Sequence, residues 1–290
     1  MQGTREIKRR IKSTTKIRQI TKAMKMVSAI KFKHAHSAIL SSRPYANKLK
    51  ELMAEISNRS SHTHPLLYSK QANNILIVVI TSDKGLCSSF NSNLLKKTVG
   101  YITKKEIIKE NSEINLFVIG KKGKDGLKKH TQKIKNIYID VFKNLTYSSA
   151  EKIAQELIDH YLKSEYGEIY VLYNEFKTAM QSKIVLEKLL PIFPQAKDNW
   201  HRKSKTDYLY EPNSDDIMNE LVPKYVKFQF YRILLESNAS EQGQRMTIMD
   251  KATKNADEML TDLTLAFNKA RQSTITREIA DLVGGAEALK

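Results

Sequence analysis

Residues 218–274 decide the fold: MNELVPKYVKFQFYRILLESNASEQGQRMTIMDKATKNADEMLTDLTLAFNKARQST. Steps of three and four pick out Met218, Leu221, Tyr225, Phe228, Arg232, Leu235, Ala239, Gln242, Met246, Met249, Thr253, Ala256, Leu260, Leu263, Phe267, Ala270 and Thr274. Only Arg232 and Gln242 in that series are strongly polar. The register then slips by one to Ile275, Ile279, Leu282, Ala286 and Leu289. A stripe sustained this long predicts a coiled-coil helix, well beyond an ordinary globular one. Pro223 sits near its start, and Gly284-Gly285 loosens its end.

A helix with one apolar stripe needs a partner, and the other end of the chain supplies one. Residues 3–58 contain a single Pro (Pro44) and no Gly after Gly3. Ile17, Ile20, Met24 and Val27 recur at helical spacing, as do Tyr45, Leu49, Leu52 and Ile56, with a weaker stretch at Lys31, His34 and Ala38. These residues predict a second long helix, bent at Pro44, pairing antiparallel with the first and bringing Ile20 and Phe267 to similar heights. Charge favours the match. Residues 1–50 hold fourteen Lys/Arg and one acid, Glu6, whereas residues 214–290 hold ten Lys/Arg and twelve acids. Exposed pairs are worth little each, so this sets register and orientation more than stability.

The middle changes period. Ile75–Ile80 reads as a buried strand, followed by strands at Ile114–Gly120, Ile137–Phe142 and Glu168–Phe176 and a strand or extended arm at Ser182–Leu190. A helical pattern at Ser149–Leu162 and others between the strands predict a small α/β domain with a mainly parallel sheet. Residues 195–216 are polar and loop-like. The expected architecture is thus α/β with a long antiparallel coiled coil: terminal helices at 1–60 and 214–290, and an inserted α/β base domain at 61–213.

The 290 residues carry a net charge of +18, 41% hydrophobic and 28% charged side chains. That balance excludes intrinsic disorder. The longest aliphatic run, Ile75–Ile80, is far short of the roughly 20 residues of a membrane span. The lone Cys87 excludes an internal disulfide and a four-cysteine zinc site. A basic, acid-poor N-terminus shares the composition of a mitochondrial presequence, yet it runs without a break into a helical pattern.

No catalytic constellation is present. Ser82–Asn91 follows the first strand but has neither nucleotide-binding glycine motif and reads as a strand-to-helix turn. Gly120–Gly126 follows the second and reads as a solvated turn. His34/His36 and His62/His64 stand two residues apart and share no helical face, so no metal site is expected. Asp215-Asp216 and Asp257-Glu258 are adjacent carboxylates that point apart. From the residues, a scaffolding rod comes first. A nucleic-acid binder stays open, because Lys8, Arg9, Arg10, Lys12, Lys16, Arg18, Lys22 and Lys25 are dense enough to displace several counterions. Arg271, Gln272, Thr274 and Thr276 are polar groups beside an apolar seam, a candidate contact patch.

The two ends also resemble the gamma-subunit family of F-type ATP synthases. Thr4–Ser13 with Thr21–Ala29 is similar to that family's N-terminal signature. Arg245–Ala256, Asp262–Leu265, Asn268–Gln272, Ile275-Thr276 and Glu278-Ile279 are similar to its C-terminal one. Ser82–Cys87 and Tyr208–Pro212 fit as well. The resemblance implies a rotor without an active centre or cofactor. Its coiled coil would stand among the alpha and beta subunits, and its base, Rossmann-like by this resemblance, would rest on the c ring beside the epsilon subunit. It implies that Arg271, Gln272 and Thr276 engage the beta catch loops, that Met24 and Lys25 lie near the acidic lever segment of beta, and that Tyr208, Tyr210 and Glu211 face the c ring and epsilon. It further implies ion-driven rotation coupled to ATP synthesis, no nucleic-acid partner, and a peripheral place on the cytoplasmic face of a bacterial plasma membrane.

Overall fold

The computed structural model describes residues 4–59, 64–68, 72–104, 113–192 and 214–287. Helix α1 covers Thr4–Arg59 (56 residues) and α5 covers Ser214–Glu287 (74 residues). Between them lie β1 (Ile75–Ile80), α2 (Phe90–Lys104), β2 (Ile114–Ile119), α3 (Lys121–Gly126), β3 (Ile134–Tyr138), α4 (Tyr147–Leu162), β4 (Glu168–Phe176) and β5 (Ser182–Leu190). Two compact units are distinguished, residues 1–29 with 245–290, and residues 30–244.

In the larger unit the strands form one sheet in the order β3-β2-β1-β4-β5. β1 lies parallel to β2, with Ile75 opposite Ile114, and parallel to β4, with Ile75 opposite Glu168. β3 is parallel to β2, and β5 returns antiparallel along β4. All six residues of β1 and all six of β2 are buried, because both faces of the sheet are covered. That is why they read as unbroken apolar runs and not as alternation. On one face Leu76, Val78, Ile80, Ile169 and Val171 pack with Leu157 and Tyr161 of α4 and Val222, Val226 and Phe230 of α5. On the other face Ile75, Ile77, Val79, Leu116 and Val118 pack with Leu94 of α2 and with Leu127.

Local signals set the element ends. Thr146 accepts from the Ser149 N–H while the Ser149 hydroxyl accepts from the Thr146 N–H, a capping box that starts α4. Gly120 has φ +97°, and a Cβ there would stand 2.2 Å from the Thr81 carbonyl oxygen. The close β1–β2 approach therefore needs glycine at this position. The third strand begins three residues before the expected Ile137 and ends at Tyr138, and Val141–Lys143 is a 3-10 turn. Asp140, in the left-handed region at φ +64°, ends the extended run. α1 continues through Pro44 as one helix.

Within the larger unit, Ala35 and Ile39 of α1 pack with Leu235 and Ala239 of α5, and the Tyr45 and Phe228 rings meet edge to face at 4.7 Å. The polar members of the α5 stripe are satisfied. Arg232 donates to Glu187 at 2.5 Å, Glu236 at 2.7 Å and Gln229 at 2.8 Å. Burial opposes the guanidinium's charge, but Glu187 and Glu236 outweigh it and raise its pKa. Gln242 is buried and donates to Glu241.

In the smaller unit the two helices run antiparallel. Thr14 donates to the Met259 sulfur at 3.7 Å. Arg18 pairs with Asp257 at 3.2 Å and Lys25 with Asp250 at 2.5 Å. Thr253 donates to the Thr21 hydroxyl at 2.9 Å, which donates in turn to the Arg18 carbonyl at 3.1 Å. This corrects the expected register. Thr21 against Thr253 sets Ile20 level with about residue 254, roughly 13 residues or about 20 Å short of Phe267.

Candidate partner-binding surface

The seam of α1 is not the expected apolar one. Its buried residues in the smaller unit are Ile7, Thr14, Thr21 and Ser28, an exact seven-residue step. Ile17, Ile20 and Val27 instead stand 51%, 58% and 53% exposed. Short hydroxyl side chains bury cheaply in a helix seam, since each can donate to a carbonyl or hydroxyl close by. Met249 of α5 is also buried in this unit. The heptad spacing of Ile7, Thr14, Thr21, Ser28 and Ala35 was the available signal. It was hidden because three of the five are polar.

Two features of the smaller unit thus have no partner among the described residues. The first is the apolar row Ile17, Ile20 and Val27 on α1, at helical spacing along one side. Exposed apolar side chains at this spacing make this side of α1 a candidate contact surface. The second is the end of α5. The expected stripe holds through Ala270, with Ala256 buried and Leu260, Leu263, Phe267 and Ala270 half-buried. From Arg271 to Ala286 every described residue is exposed, including Ile275, Ile279, Leu282 and Val283. The seam simply runs out. Thr14 already meets Met259, so the first residues of α1 reach only about residue 270.

The residues implicated by resemblance fall as follows. Arg271, Gln272 and Thr276 lie together on this exposed end, Thr276 donating to the Gln272 carbonyl at 2.9 Å. Met24 is half-buried. Lys25 is held by Asp250, whose carboxylate also pairs with Lys254 at 3.3 Å. Hydrogen bonds from these two lysines hold the Asp250 pKa below its ordinary value. Tyr208, Tyr210 and Glu211 lie outside the described residues, as does nearly all of the expected loop at 195–216. Among the described residues no group of three His, Cys, Asp or Glu side chains could hold a metal, and no helix is long and apolar enough to cross a membrane. Cys87 is buried beside Asn91 and Ser82 in the turn after β1, where Asn91 donates to both.

Comparison with known proteins agrees with this layout. The ATP synthase family model matches residues 3–289. The ATP synthase gamma chain of Geobacter sp. (strain M21) is 43% identical over 292 residues, covering 100% of both chains. That of Chloroherpeton thalassium is 40% identical, covering 100% of this chain and 99% of its own. Among solved structures, the central stalk/c-ring of the Tetrahymena thermophila mitochondrial ATP synthase matches with TM-score 0.60 and 28% identity, over 80% of this chain and 99% of that one. A chain of the Euglena gracilis mitochondrial ATP synthase matches with TM-score 0.66 at 18% identity, over 99% and 94%, which speaks for the fold. Two terminal helices paired head to tail around a Rossmann-like sheet, with full-length relatives of one kind, lead to a single conclusion: the chain belongs to the ATP synthase gamma-chain family.

Proposed function

We propose that the chain is the central rotor shaft of an F-type ATP synthase and carries no active site of its own. Its partners are the alpha and beta subunits around the paired helices, with the epsilon subunit and the c ring at the α/β domain. The functional division is a coiled coil from 1–60 and 214–290 around a base at 61–213. Ion flow turns the c ring and the shaft with it, and the catalytic sites of the beta subunits respond. In reverse, ATP hydrolysis pumps ions. The complex sits on the cytoplasmic face of a bacterial plasma membrane, with this subunit peripheral.

One observation carries the reading most: the unmatched end of α5, exposed on all sides from Arg271 and bearing both polar and apolar groups. A rotor biases a subunit only by contacting one of its states better than another. A helix end with no partner among the described residues has every side available for such contacts, and its unequal sides present a different surface at each angle. Arg271, Gln272 and Thr276 are the residues assigned to the beta catch loops. Met24 and Lys25 are assigned to the lever segment, with Lys25 sharing its charge with Asp250. Tyr208, Tyr210 and Glu211 are assigned to the c-ring and epsilon side.

The test is Arg271→Ala with Gln272→Ala in the assembled complex. Coupling energies of about 1–3 kcal/mol correspond to roughly 5–150-fold. ATP turnover is expected to fall about 5-fold or more, with nucleotide affinity of isolated beta unchanged. Normal turnover in the assembled variant removes these residues from the contact.

A further inference from the structure

The larger unit contains a cavity of about 600 Å³ that the rotor reading does not use. It opens where the first turn of α2, the end of β4, the start of β5 and the α5 residue Gln244 meet. β1 and β4 are adjacent, while β2 and β3 extend from β1 to the other side. The cavity therefore lies at the carboxyl ends of the parallel strands where the strand order reverses, the position at which open α/β sheets bind ligands. Its volume suits a small organic ligand.

The lining has one sign of charge. Lys97, Lys177 and Lys183 contribute to it and no acidic side chain does. Lys177 is paired with Glu175 at 2.9 Å. Lys97 and Lys183 make no ion pair among the described residues. Neutral donors stand between them: Asn93, Gln244 and the buried Asn174, whose amide reaches the Phe90 carbonyl only at 3.5 Å. α2 begins at the cavity with no acid in its first turn, so its positive dipole end adds to the field. Gln244 donates to Ser182 at 2.6 Å and ties the β4–β5 hairpin to α5, which makes the wall firm.

We propose that this cavity binds a polyphosphate anion of nucleotide size, such as a nucleoside diphosphate. Lys97 and Lys183 supply the free charge for the phosphates, and the amides of Asn93 and Asn174 fix their orientation. Such a ligand joins α2, the β4–β5 hairpin and α5 within the unit.

The test is calorimetric titration of the purified full-length chain at 0.15 M salt with ADP, pyrophosphate, sulfate and an oligo-glutamate peptide. Lys97→Gln with Lys183→Gln is compared with a charge-matched control, Lys135→Gln with Lys152→Gln. Circular dichroism verifies that each variant is folded. Saturable one-to-one binding of ADP or pyrophosphate, weakened about 10-fold or more by the first variant and less than 2-fold by the control, is the expected result. Tighter binding of ADP than of pyrophosphate supports the proposal and adds the nucleoside to the ligand. Equal binding supports it through the phosphates alone. The proposal is overturned by an absence of saturable binding, by equal losses in the two variants, by sulfate binding as tightly as ADP, or by the peptide binding more tightly than either phosphate.

Discussion

Oxidative crosslinking tests the helix register. The perturbation is Thr21→Cys with Thr253→Cys, whose hydroxyl oxygens lie 2.9 Å apart. Oxygens that close hold the two Cβ atoms within about 6 Å, so a small adjustment of the helices brings them to the roughly 3.5–4.5 Å of a disulfide. The native Cys87 is buried in the other unit and does not compete. The bond closes a loop of about 230 residues, for which the chain-entropy relation gives about 5 kcal/mol of stabilisation at 25 °C. A strained bond delivers less. Mild oxidation should therefore produce a fast-migrating band on a non-reducing gel, reversed by reductant, and a raised melting temperature. The contrasting pair is Ile20→Cys with Phe267→Cys, separated by about 20 Å along the helix axis. It should not crosslink. If that second pair closes as readily as the first, the register drawn from Thr14, Arg18, Thr21 and Lys25 is wrong. If neither pair closes, the antiparallel pairing itself fails.

Phe230→Ala removes a fully buried ring from the face where α5 meets the sheet; a loss of about 3–5 kcal/mol is expected in denaturant unfolding, and a loss under 1 kcal/mol contradicts the packing. Deleting residues 271–290 removes no buried described side chain, so the melting temperature should stay within about 2 °C while coupling in the assembled complex falls, and melting of the α/β domain contradicts the layout. Because Lys25 and Lys254 depress the Asp250 pKa, its contribution is complete above the ordinary carboxylate value and is lost as pH falls through the lower folded one. A thermal melt series from pH 6 to pH 2 should show that acid loss shrink in Asp250→Asn, and an unchanged acid limb refutes the linkage.

The α5 stripe and the β-strands were legible because burial there is what the residues themselves demand. β4 and β5 occupy the expected Glu168–Phe176 and Ser182–Leu190, and the α5 stripe is covered from Met218 to Ala270. Arg232 looked like a flaw in that stripe. It is held by Glu187 and Glu236, one of them from a strand 45 residues away in sequence. The α1 seam was not legible for the opposite reason. Its buried positions carry Thr14, Thr21 and Ser28, whose polarity disguises a heptad, while Ile17, Ile20 and Val27 remain exposed. Apolar character states that a side chain gains by leaving water. It does not state whether the covering surface belongs to the same chain.

The sequence by itself determined the terminal helices, α4 and the strands β1, β2, β4 and β5, that the terminal helices pair head to tail, and the family to which the chain belongs, but it misplaced β3 and read α3 as a solvated turn. The elements and their pairing follow from periodicity and residue type, and the family from the resemblance of the two end motifs. Only the tertiary structure decided which side of α1 is the seam, how far α5 outruns its partner, and which lysines converge beside the sheet. The first two depend on the relative displacement of helices more than 200 residues apart, where a shift of register changes every contact without altering a single local pattern, and the last depends on which strand and helix ends the sheet topology brings together.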